Sequence, residues 1–78
     1  MYADAKMLEF LEILKAKGKI RFEKEFCFSA ELLPQNLSRI RNGQAHFTPD
    51  HIRNVCKKYE VNANWLFGMD GQIFFESL

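Results

Sequence analysis

Between Pro34 and Gly43 the chain reads Pro-Gln-Asn-Leu-Ser-Arg-Ile-Arg-Asn-Gly, a run of polar side chains interrupted only by Leu37 and Ile40. The amides of Gln35 and Asn36 each offer a donor and an acceptor that match the adenine edge. The Arg39 guanidinium offers a fork that matches guanine O6 and N7. Each such pair discriminates between bases by about 1–3 kcal/mol. Arg41 and Arg53 carry charge suited to phosphate oxygens. The remaining reactive side chains point to no reaction. His46 and His51 flank Thr48-Pro49-Asp50 with no serine, cysteine or carboxylate spaced as a nucleophile and its base, so His46 is expected to face solvent or phosphate and no enzyme is expected. Cys27 and Cys56 lack the paired short spacings of a zinc site and are too few for a disulfide framework. They read as reduced residues on buried helix faces, and no metal or cofactor is expected.

Charge supports the same stretch. The formal total is only +1, and residues 1–33 balance. From Pro34 to Lys58, Arg39, Arg41, Arg53, Lys57 and Lys58 face Asp50 alone, a net +4, whereas Glu60, Asp70 and Glu76 follow. A positive field concentrated in the middle third is what a polyanion-binding face requires.

The elements that must carry these residues can be read from spacing. Ala3, Met7, Phe10, Leu11 and Leu14 recur at intervals of three and four, predicting a helix from about Tyr2 to Ala16, ended by Lys15, Lys17 and Gly18. A second helix is expected from Glu23 to about Ala30, with Phe26, Cys27 and Ala30 inward and Phe22 or Ile20 packing across its start. Pro34 suits the first position of a third, short helix that buries Leu37 and Ile40 and closes at Asn42-Gly43. It leaves Gln35, Asn36, Ser38, Arg39 and Arg41 outward. Thr48-Pro49-Asp50 starts a fourth helix that turns Ile52, Val55, Cys56 and Tyr59 inward. A fifth is capped by Asn62, carries Trp65 and Leu66 inward and stops at Gly68. The apolar Ile73-Phe74-Phe75 extension follows it.

With 78 residues there is room for one domain, residues 1–78, and nearly half of them are hydrophobic and evenly spread. No apolar run reaches the roughly 20 residues of a membrane span. The N-terminus lacks the order of a signal peptide, so a cytoplasmic protein is expected.

Two short helices joined by a tight connection, the second one outward-polar, form a helix-turn-helix over about residues 23–42. Lys24-Glu25-Phe26-Cys27 followed by Pro34 to Gly43 resembles the helix-turn-helix of Cro/C1-type (Xre family) transcriptional regulators. Thr48-Pro49-Asp50 and Val61-Asn62-Ala63-Asn64-Trp65-Leu66 with Gly68 resemble the closing helices of the same family. The resemblance spans nearly the whole chain. It implies an all-α, compact, five-helix lambda-repressor-like DNA-binding domain whose third helix enters the major groove of double-stranded DNA, as a homodimer on a palindromic operator. No membrane and no small-molecule substrate are implied. Gln35, Asn36 and Arg39 match its base-reading positions. Asn42, Gly43 and Gln44 match the turn that meets phosphates, and Ser38, Arg41 and Arg53 join them as backbone contacts.

The chain departs from that pattern in four places. Glu23 stands where the family has Gln, and its charge is expected to repel a phosphate. Glu31 stands where the turn has Gly, Leu33 where Ser or Thr caps the third helix, and Phe28 at a position normally polar. These departures leave open a second reading, in which the same fold serves protein interaction or dimerisation through Phe22, Phe28, Leu33 and the Phe74-Phe75 tail.

Overall fold

A computed structural model describes residues 2–66 of the chain. Among them α1 spans Tyr2–Ala16, α2 Glu23–Ala30, α3 Pro34–Arg41 and α4 Pro49–Tyr59, and a single turn, α5, spans Ala63–Leu66. The described residues are thus all-helical, with four helices of two turns or more. The rest of the expected fifth helix, with Gly68 and the apolar extension, lies outside them.

The stripe on α1 forms as its spacing predicts. Ala3, Met7, Phe10, Leu11 and Leu14 are all buried, and Phe26, Phe47, Val55, Val61 and Leu66 close around them. Phe10 meets Tyr59 edge-on at 6.0 Å between centroids, and Phe26 meets Phe47 in the same way at 6.3 Å. Burying each such ring contributes about 2–3 kcal/mol, so in a chain this small a few aromatics carry much of the stability. The second helix packs chiefly on α4 and also touches α3, so α2 links α3 to α4. Three of the residues expected inward, Cys56, Tyr59 and Trp65, pack against this core but are half-buried. Trp65 packs edge-on to Phe10 at 6.4 Å and holds the Lys6 ammonium 4.3 Å above its ring. Of the two residues expected across the start of α2, Ile20 is buried and Phe22 is exposed.

Three helix ends share one hydrogen-bond pattern. After α1, the Lys19 and Gly18 N–H groups donate back to the Leu14 and Lys15 carbonyls at 2.9 and 3.1 Å, with Gly18 at φ 70°. Gln44 and Gly43 repeat the pattern after α3 onto Arg39 and Ile40, with Gly43 at φ 77°. After α2 the same bonds run from Leu32 to Cys27 and from Glu31 to Phe28, but the left-handed position is held by Glu31, at φ 59° and ψ 45°. The turn between α2 and α3 therefore keeps the geometry a glycine would give it, with a residue that pays steric strain to adopt it.

Candidate nucleic-acid interface

On α3, Leu37 and Ile40 point into the core, and their burial fixes which residues look outward. Gln35, Ser38, Arg39 and Asn42 recur at intervals of three and four on the opposite side, and all four are exposed. Asn36, expected beside Gln35, is half-buried on the flank of that face. Arg39 stands on this face and has no acidic partner among the described residues. Leu33 precedes the helix at φ −70° and ψ 138° with no side-chain bond to its end, so the exposed N–H groups of the first turn lack the cap that Ser or Thr supplies.

Arg41 lies on the other flank and is engaged. Its Nη1 and Nη2 donate to the two carboxylate oxygens of Glu23 at 2.7 and 2.5 Å. Lys15 Nζ donates to the same carboxylate at 3.0 Å and to Glu12 at 3.3 Å. The end of α1, the start of α2 and the end of α3 thus meet in one ion-pair network. The Arg41 guanidinium holds the Glu23 carboxyl down at about 2, against the smaller upward push of partial burial and with help from Lys15. Glu23, expected to repel a phosphate, therefore spends its charge on two cations of its own chain. Arg41, expected at the DNA backbone, is already bidentate to a carboxylate. A strong pair of this kind was legible only in the residue types, because positions 23 and 41 come together solely through the packing of α2 on α3.

The segment leaving α3 is held from the far end of the chain. Asp4, a buried carboxylate on α1, accepts the Phe47 backbone N–H at 2.9 Å and bonds His46 Nδ1 at 2.6 Å. Burial pushes the Asp4 carboxyl up, but the His46 and Phe47 hydrogen bonds outweigh it and leave it below the usual carboxylate value. His46 is exposed, as expected, and the structure adds a partner: its Nδ1 is committed to Asp4, and with Phe47 buried this pins the 42–48 turn to α1. Asn42, Gly43 and Gln44 remain exposed on that turn, with Gly43 in the left-handed conformation that the turn requires.

The start of α4 is built as a reciprocal cap. His51 N–H donates to Thr48 Oγ1 at 3.2 Å while Thr48 N–H donates to His51 Nδ1 at 3.1 Å, which occupies one nitrogen of His51 as an acceptor. Arg53 pairs with Asp50 at 2.9 Å, and both side chains are mostly exposed. Such a pair contributes little and leaves Arg53 available to a stronger anion. Burial raises the Cys27 and Cys56 thiols above their ordinary range, which removes nucleophilic thiolate at neutral pH. Among the described residues no group of three potential metal ligands converges, and no helix is long and apolar enough to cross a membrane.

Of the nine residues singled out in the sequence, the structure brings Gln35, Ser38, Arg39 and Asn42 onto one exposed face, continued by Gly43 and Gln44 in the turn. Asn36 and Arg41 sit on its flanks, and Arg53 belongs to α4. No family model matches the chain, and neither a curated protein nor a solved structure matches it.

Proposed function

We propose that the chain binds double-stranded DNA in a sequence-specific way, with α3 as the reading helix in the major groove. The observation that carries this reading is the α3 face itself. Gln35, Ser38, Arg39 and Asn42 stand exposed on a two-turn helix, and Arg39 has no acidic partner among the described residues. An unpaired arginine flanked by amides is suited to base edges, and a helix of this size fits the major groove. In this reading Gln35 and Arg39 contact bases, with Asn36 reaching in from the flank. Ser38, Asn42, Gly43 and Gln44 hold phosphates, and Arg53 exchanges Asp50 for one. Arg41 acts within the protein, through Glu23.

The connection of α2 to α3 through Glu31, Leu32 and Leu33 supports a helix-turn-helix of the Cro/C1 type, and with it a lambda-repressor-like five-helix domain. The corresponding cellular role is that of a small cytoplasmic transcriptional regulator of the repressor class. It would act as a homodimer on half-sites about 34–36 Å apart.

The test is selection of bound sequences from a random duplex pool at physiological salt, with Arg39→Ala alongside. An enriched motif is expected, broadened at one position in the variant, with a loss of specific affinity of about 1–3 kcal/mol. Affinity should fall steeply as salt rises. No enrichment from folded protein would overturn the reading.

A further inference from the structure

Phe28 lies on α2 in line with Lys24, one turn before, and with Glu31, and it is 86% exposed, an unusual setting for a phenylalanine in a small helical domain. It is not isolated. A broad open groove of about 1050 Å³ runs beside it, floored by Ile20, Leu32 and Tyr59 and bounded by Leu33 where α3 begins. Leu33 is 59% exposed. None of Gln35, Ser38, Arg39 and Asn42 lines this groove, so it is a surface separate from the reading face.

The charges around it differ in how far they are committed. Glu25 turns its carboxylate onto the backbone N–H groups of Arg21 and Phe22 at 2.5 and 2.8 Å, and Glu31 accepts the Asn54 side-chain amide at 3.0 Å. Lys24 and Lys58, by contrast, have no acidic partner among the described residues, and Lys24 rests instead against the Phe22 ring at 5.6 Å. The groove thus combines an apolar floor with two uncommitted cations on its rim. A sugar-phosphate backbone would satisfy the lysines but gain nothing from Phe28, Leu33 and Ile20. A second copy of the same face would bury the apolar residues but would set against each other two rims on which Lys19, Lys24 and Lys58 outnumber Glu25 and Glu31.

We infer that this groove docks an acidic amphipathic segment of a partner protein, whose apolar side chains at three- and four-residue intervals cover Phe28 and Leu33 while its carboxylates meet Lys24 and Lys58. The surface is a binding function additional to DNA recognition and does not depend on it.

The probe is a fluorescein-labelled helical peptide of about four turns, with Leu and Phe at helical spacing among Asp and Glu. One control peptide replaces the acids by Lys and another replaces the apolar residues by Ser. The full chain should bind the first peptide saturably, with amide shifts confined to α2, the 31–33 turn and the end of α4. Phe28→Ser should abolish binding, and the double variant Lys24→Glu, Lys58→Glu should weaken it about tenfold, since each rim pair contributes modestly. All three side chains reach solvent, so unchanged thermal melting of the variants certifies the fold. Equal binding of the Lys control, binding unaffected by Phe28→Ser, or no saturable binding at all would overturn the proposal. So would concentration-dependent self-association abolished by Phe28→Ser without peptide binding, which would assign the groove to a second copy. Because neither Phe28 nor Lys58 touches the reading face, the duplex-selection experiment fails or succeeds independently of this one.

Discussion

Glu31 shows how a single residue can keep a turn that its type disfavours. A left-handed conformation costs a non-glycine residue about 1 kcal/mol, and Glu31 holds it because Leu32, next in the chain, is buried on the core side. Glu31→Gly is expected to stabilise the protein by about 0.5–1 kcal/mol, somewhat less than the strain removed, since glycine loses more freedom on folding. Asn54 would keep its bond to the Ala30 carbonyl at 3.1 Å. Chemical denaturation checks the sign, and a loss of stability would mean that the Glu31–Asn54 bond outweighs the strain. Asp4 is the opposite case, a buried polar group whose partners justify it. Asp4→Ala leaves the Phe47 N–H without its acceptor and frees His46, and should cost about 1–3 kcal/mol by the same measurement. The signal for the first of these residues came only through the resemblance to a family whose turn carries Gly. Nothing local marks Asp4, because the partner is more than forty residues away.

At the scale of elements, α3 is held by its neighbours more than by its own ends. Pro34 presets its first turn and Gly43 closes its last, but Leu33 supplies no cap. Leu33→Ser adds an oxygen that can accept the N–H of Asn36 or Gln35, and thermal melting should show a gain of about 1 kcal/mol. The contrast with α4 is instructive, since Thr48 and His51 cap each other there. That α3 nevertheless forms follows from Leu37 and Ile40, whose burial against the rest of the core outweighs a missing cap. The same two residues decide what α3 displays. With the inward pair given, helical geometry puts Gln35, Ser38, Arg39 and Asn42 outward and moves Asn36 and Arg41 to the flanks.

For the whole molecule, the Glu12–Lys15–Glu23–Arg41 network couples three helix ends to pH. Glu23 titrates at about 2 in the folded chain against an ordinary 4.5. A depressed carboxyl contributes stability above its unfolded value and loses it as pH falls toward the folded one, so the loss runs from about pH 4.5 down to 2. Asp4, also lowered, acts in the same direction. Glu23→Gln should lower stability at neutral pH by about 1 kcal/mol, the discount reflecting a carboxylate that is one-third exposed. The gap between variant and parent should close as pH approaches 2. A gap that persists there would show that packing, not the ion pair, is what the substitution disturbs.

Sequence alone determined the limits of α1 to α3, the start of α4 and its Thr48 cap, the buried stripe of α1 and the inward pair of α3. Each is set within a turn or two of chain, where spacing, capping and dihedral preference act. Only the tertiary structure decided which charges are spent. It paired Arg41 with Glu23 and His46 with Asp4 while leaving Arg39, Lys24 and Lys58 without acidic partners among the described residues. It also left Phe28 outside the core. Those outcomes depend on distances between residues far apart in the chain, which exist only once α2, α3 and the 42–48 turn have packed against α1 and α4.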